Sequence, residues 1–194
     1  MENEITGLIS RYMPLSEEQT QIVAECIPVR TYKKGTVLLR EGQISTECYF
    51  TIKGCVRHYY LVDGEEKTTF FYTEDQSIAS LHSYLNKVPA DHFLSCVEDT
   101  TLAVLSYEKE KELYKRFPGF ESLCRVAMEE DYGKQQDTLA GYITRSPEER
   151  YLHLLKNRPE ILNRVPQYHL ASYLGVKPES LSRIRKRIFT KVNE

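Results

Sequence analysis

Between Val29 and Tyr107 the apolar residues come in short, alternating or β-branched runs, whereas the flanking stretches repeat theirs every three or four positions. The short runs are Val37-Leu38-Leu39, Cys48 to Ile52, Cys55 to Tyr60, Lys67 to Tyr72, Leu94 to Val97 and Thr101 to Leu105. Turn signals divide them at Lys34-Gly35, Glu41-Gly42, Lys53-Gly54 and Asp63-Gly64, the last a strong hairpin marker. Many short strands at this spacing predict a barrel or jelly roll. Before them, Ile5 to Pro28 reads as helical, with Ser16 as an N-cap ahead of Ile22 and Val23. After them, a short helix runs from Glu108 to Phe117, Pro118-Gly119 breaks it, and a long helix follows from Phe120 to Arg145. Its apolar positions (Leu123, Val126, Ala127, Leu139, Ala140 and Ile143) are sparse, and we read them as a seam facing a second copy rather than as an ordinary surface helix. Ser146-Pro147-Glu148-Glu149 then starts a new helix with a cap, a first-turn proline and first-turn acids.

The last segment has the pattern of a helix–turn–helix. Leu170, Ala171 and Leu174 form one apolar stripe, Gly175 supplies a tight turn, and Pro178 suits the first position of a second helix. In that helix Leu181, Ile184 and Ile188 share a face. Glu179, Arg183 and Lys186 project roughly opposite, with Ser180 and Arg187 at the edge. One side suits a domain core, and the other offers a carboxylate and guanidinium groups to base edges and phosphates. A basic helix end is often only a solvated face, but the small residue, turn, proline and apolar spacing together specify a docking geometry for DNA.

Charge sharpens this picture. The 194 residues carry 26 Lys/Arg and 28 Asp/Glu, a net charge of −2. From Ser146 onward there are ten Lys/Arg and five Asp/Glu, net +5, which leaves sixteen and twenty-three, net −7, in the first 145. A basic module on an acidic body suits a protein that meets nucleic acid at one end. No apolar run approaches a membrane span, and Met1-Glu2-Asn3-Glu4 is unlike a signal peptide, so a cytoplasmic location is expected. The five cysteines, Cys26, Cys48, Cys55, Cys96 and Cys124, are scattered singly, which argues against a disulfide framework, structural zinc or an iron–sulfur ligand set. No nucleophile elbow or phosphate loop accompanies the Ser, His and Asp residues, so an enzyme is not expected.

In this order, a β-roll, a long helix and a C-terminal helix–turn–helix resemble the family of the cyclic-AMP receptor protein and Fnr. The resemblance rests on the Lys34-Gly35 and Arg40-Glu41-Gly42 turns, the strand–turn–strand from Tyr49 to Arg57, Glu98-Asp99-Thr100-Thr101, and Glu179-Ser180-x-x-Arg183. It implies an α+β chain: residues 1–119 as a jelly-roll-like sensor (a double-stranded β-helix with flanking helices), 120–145 as a dimerisation helix and 146–194 as the DNA-binding domain. It also implies a homodimer on a palindromic duplex, with RNA polymerase and a small-molecule effector as further partners and no membrane. The Glu and Arg of the last motif read bases in this family and the hydroxyl holds phosphate. The candidate DNA contacts are therefore Gln167, Lys177, Glu179, Ser180, Arg183 and Arg187, with Pro178 standing where some members have arginine. The chain ends soon after the second helix, at Lys191-Val192-Asn193-Glu194, so the usual wing hairpin is expected to be absent or vestigial.

The sensor half departs from the family pattern. Members that bind a cyclic nucleotide carry a Gly-Glu pair whose carboxylate holds the ribose, then an Arg-Ser or Arg-Thr pair whose guanidinium neutralises the phosphate. Here the matching residues are Ala79-Ser80 and His92-Phe93. The candidate effector pocket is thus Ala79, Ser80, Leu81, His82, His92 and Phe93, without a fixed guanidinium, and cyclic AMP is not expected in the usual mode. Asp91 beside His92 would repel an anion. No cofactor is expected; haem on His58, His82 or His92 is a distant alternative, since a lone histidine is more often an ordinary polar residue. A competing reading is a small-molecule-binding roll whose DNA-binding module has degenerated.

Overall fold

A computed structural model describes residues 4–10 and 13–192, with side chains as far as Thr190. Two helices come first, α1 (Glu4–Ile9) and α2 (Glu17–Cys26). Ser16 caps α2 as expected: its hydroxyl accepts from the Gln19 amide while the Gln19 side chain accepts from the Ser16 amide.

Eight antiparallel strands follow: β1 (Val29–Tyr32), β2 (Val37–Leu39), β3 (Glu47–Lys53), β4 (Val56–Val62), β5 (Glu65–Tyr72), β6 (Ser77–Ile78), β7 (Phe93–Cys96) and β8 (Thr100–Ser106), with helix α3 (Leu81–Asn86) between β6 and β7. They form two four-stranded sheets, ordered β1-β8-β3-β6 and β2-β7-β4-β5. The β4–β5 hairpin closes at Val62↔Glu65 through Asp63 and Gly64, both at positive φ (52° and 79°), the conformation a two-residue turn of this type requires.

Side-chain alternation decides what each sheet packs against. Tyr49, Val56, Tyr72, Leu94, Leu102 and Val104 point between the sheets and form the roll core. Phe50, Ala103 and Leu105 point outward from the first sheet onto α1, α2 and α4 (Tyr107–Arg116). Cys55, Phe71 and Val97 lie on the outward side of the second sheet, where the C-terminal helices cover them.

Helix α5 (Pro118–Thr144) begins at Pro118, so the proline expected as a breaker serves as the helix start. Its first turns join the helical cluster through Phe120 and Leu123, which takes Leu123 out of the expected seam. Farther along, Val126, Met128, Tyr132, Leu139 and Ile143 stand exposed. The remaining helices are α6 (Pro147–Asn157), α7 (Pro159–Arg164), α8 (Gln167–Tyr173) and α9 (Pro178–Val192). Ser146 and Glu149 form the capping box that starts α6. Helix α9 continues to Val192; Asn193 and Glu194, where part of the wing expectation falls, lie outside the described residues, as do Met1 to Asn3.

Gly175 joins α8 to α9 at φ +66°, and a Cβ there would meet the Tyr142 hydroxyl at 2.5 Å. Left-handed backbone costs an L-residue about 1–2 kcal/mol, so Gly175→Ala is expected to destabilise the chain by at least that much, with further loss from displacing Tyr142. Urea unfolding monitored by circular dichroism checks this; an unchanged midpoint would show that the turn relaxes freely.

Candidate nucleic-acid interface and effector pocket

Helix α9 is anchored by Leu181, Ile184 and Ile188, which are 1%, 7% and 7% exposed and share one core with Leu170 and Ala171 of α8 and Leu174 just after it. Tyr151, Leu154, Ile161 and Val165 complete that core from α6, α7 and the α7–α8 connection. With the apolar face fixed inward, Lys177, Glu179, Arg183 and Arg187 are exposed on the opposite side and Ser180 is half-buried at the edge. The Arg183 guanidinium donates to the Ser180 hydroxyl at 3.1 Å, an exposed contact that a ligand readily replaces. Two candidates already have partners within the module. Arg187 lies 2.6 Å from the Glu148 carboxylate, and the Gln167 side-chain oxygen accepts from Arg185 at 2.5 Å. A phosphate contact by Arg187 therefore competes with an ion pair that spacing alone did not reveal.

Arg150, which the sequence reading did not single out, fixes this module to the end of α5. Its guanidinium donates to the carbonyls of Tyr142 and Arg145, both at 2.9 Å, and of Leu174 at 2.8 Å, and it lies over the Tyr142 ring. Three carbonyls left open at helix ends and a turn are satisfied by one planar cation.

In the roll, Ala79, Ser80, Leu81, His82 and His92 line one small cavity of about 240 Å³, together with Tyr60 and Asp91. Phe93 does not join them. It stacks on Tyr59 with ring centroids 5.0 Å apart, because alternation along the strand sends successive side chains to opposite faces. His92 donates through Nδ1 to the Asp91 carboxylate at 3.0 Å, and its ring meets His58 edge-on at 4.1 Å. Burial, reinforced by His92, pushes the His58 imidazole down to about 3. His58 Nε2 is buried without a hydrogen-bond partner. Position 80, where the resemblance places a carboxylate, holds a serine that makes no side-chain cap to α3.

The module sits directly on the roll. Arg57 on β4, whose side chain is 4% exposed, donates to Glu66 of β5 at 2.5 Å, contacts His169 of α8 and lies 3.8 Å from the Tyr59 ring centroid. Burial and the Arg57 charge push His169 down to about 4. Arg164 at the end of α7 binds Glu74 through two nitrogens, at 2.7 and 2.8 Å, and Glu98 at 2.5 Å. Burial acts to raise the Glu74 carboxyl, but Arg164 and the Gly54 amide outweigh it and hold it at about 2. Among the described residues, no helix is long and apolar enough to cross a membrane.

Residues 29–117 match the cyclic nucleotide-binding domain family. Over the whole chain the fold is similar to that of the c-di-GMP-responsive global regulator CLP of Xanthomonas campestris (TM-score 0.72, 18% identity, 91% of this chain and 93% of that one). It is similar to a putative transcriptional regulator of the Crp/Fnr family from Eubacterium rectale (0.69, 17%, 93% and 86%). A variant of CooA from Carboxydothermus hydrogenoformans also shares it (0.68, 16%, 91% and 82%). At these identities the likeness is one of fold. No curated protein sequence matches the chain.

The cavity has Ser80 and His92 at the positions that the family resemblance gives to the ribose carboxylate and the phosphate guanidinium. Each missing charge-assisted hydrogen bond costs on the order of 1.5–3 kcal/mol. Calorimetry is expected to detect no binding of cyclic AMP or cyclic GMP at micromolar concentration; a micromolar dissociation constant would contradict this assignment of the pocket.

Proposed function

We propose that this chain, whose residues 29–117 match the cyclic nucleotide-binding domain family and whose fold is that of Crp/Fnr transcription regulators, is a homodimeric, sequence-specific DNA-binding regulator of that type acting in the cytoplasm. The observation that carries the reading is the α9 edge of exposed Glu179 and Arg183 with half-buried Ser180 between them, held outward by three buried apolar residues on the other face. In a helix–turn–helix the first residues of the second helix reach base edges in the major groove while the first helix crosses the backbone. Arg183 suits bidentate donation to a guanine, Glu179 suits acceptance from a cytosine amino group, and Gln167, Lys177 and Ser180 lie where phosphates pass. Residues 1–119 act as the sensor, 120–145 as the dimer helix and 146–194 as the reading head. The roll cavity takes an effector other than a cyclic nucleotide in the usual mode, and RNA polymerase is the downstream partner.

Two reading heads must stand about 34 Å apart to enter successive major grooves, so the chain must pair. The exposed residues Met128, Tyr132, Leu139 and Ile143 fall on one side of α5 and give it an apolar face for this. Sedimentation is expected to show a dimer at micromolar concentration; a monomer both with and without duplex would sink the proposal.

Arg183→Ala is expected to spare the fold, cost roughly 1–3 kcal/mol of binding to the preferred duplex and relax preference at one position in each half-site. Arg187→Ala, already shared with Glu148, should weaken all duplexes alike and flatten the salt slope by at most about one unit. Titrations against single-base variants of the preferred site separate the two. If Arg183→Ala keeps the wild-type preference at every position, the base-reading role is wrong.

A further inference from the structure

We propose that the acidic β4–β5 hairpin competes with DNA for the reading head: in the docked chain it occupies the approach to α8 and the start of α9, and duplex binding requires its release. The inference rests on the DNA-binding reading above and adds to it an intramolecular competitor. Asp63, Gly64, Glu65 and Glu66 form the tip and first residues of this hairpin. A large cleft between roll and C-terminal module is lined from one side by Glu65, Glu66 and Thr68, and from the other by Tyr168, Lys177 and Glu179. The cleft thus brings two carboxylates to the edge of the surface that would follow the phosphate backbone.

The docking is built from matched groups on both elements. The Thr68 amide donates to the Ser172 hydroxyl at 2.8 Å, and that hydroxyl donates to the Glu66 carbonyl at 2.7 Å, so one serine of α8 satisfies two backbone groups of β5. Phe71 of β5 packs against Tyr173 of α8 with centroids 5.3 Å apart. Arg57 lies behind the strand, paired with Glu66 and touching His169, and acts as the positioning residue that keeps the Glu66 carboxylate beside α8. Farther along, Glu65 pairs chiefly with Lys67 and is also favoured in its charged form by Lys177, the residue before α9. A duplex that enters along α8 brings its own anions to Lys177 and Gln167. The hairpin fills the space beside α8 that the duplex backbone would occupy, and at low salt its exposed carboxylates add repulsion toward the phosphates, so hairpin and duplex exclude each other.

Ser172→Ala tests this without changing charge, since it removes both hydrogen bonds that hold the hairpin and touches none of the proposed DNA contacts. We expect it to tighten binding to a random-sequence duplex at low salt by about three- to ten-fold, the value of one or two net hydrogen bonds. In the wild-type protein, hydrogen exchange at the Thr68 amide is expected to accelerate by about ten-fold or more when the same duplex is added to saturation. Unchanged or weaker binding by Ser172→Ala, or a Thr68 amide equally protected in the saturated complex, would overturn the competition and leave DNA binding standing. A wild-type protein that binds no duplex at low salt would overturn both, and the same titration shows which has failed.

Discussion

The buried guanidinium of Arg57 is the point on which the arrangement of this chain turns. A charge with a side chain 4% exposed has to be compensated where it sits, and among the described residues Glu66 beside it supplies the opposite charge. Glu66 meets that requirement within the β4–β5 hairpin, α8 reaches the pair through His169, and the apolar surfaces around it complete the junction. Cys55, Phe71 and Val97 of the roll belong to the same core as Ile161, Leu170, Leu174 and Leu181 of the C-terminal module. Separating the halves would expose that surface to water and leave Arg57 without its α8 neighbour. The C-terminal module is therefore an integral layer of the fold, covering the outer side of the second sheet as α1, α2 and α4 cover the first.

Strand β4 links the two functional regions because its residues alternate. His58 and Tyr60 turn toward His92 at the cavity, with ring separations of 4.1 and 5.7 Å to it. Arg57 and Tyr59 turn the other way, toward His169 and Phe93. The cavity and the C-terminal module thus meet on opposite faces of one seven-residue strand. Opposite His58 and Tyr59 the register shifts by one residue, with Thr69 of β5 left over as a bulge beside the cavity strand.

Much of this was legible in the residues because it is local. Ser16 and Ser146 announced their helices through short-range capping chemistry, Asp63-Gly64 its hairpin, and Leu170, Ala171, Leu174, Leu181, Ile184 and Ile188 the helix–turn–helix core. The elements that were missed are short: β6 has two residues, α3 and α7 six each, and β1 four without a clear alternation. Phe93 was placed in the cavity by its neighbourhood in sequence, and strand alternation moved it to the far face. The junction was invisible for a different reason. Arg57 meets His169 and Thr68 meets Ser172 across more than a hundred residues, and no periodicity records such pairs. Nor does periodicity record Arg164 with Glu74 and Glu98, or Arg187 with Glu148, which lie closer in sequence but in different elements.

The central claim is that α9 reads sequence in the major groove as one half of a symmetric pair. Selection of the wild-type protein over a pool of randomised duplexes tests it most directly. The account predicts enrichment of an inverted repeat whose half-sites lie about 10–10.5 base pairs apart, centre to centre, or a multiple of that spacing. A pool that remains random after repeated rounds, or enrichment of sequences without two-fold symmetry, would contradict it.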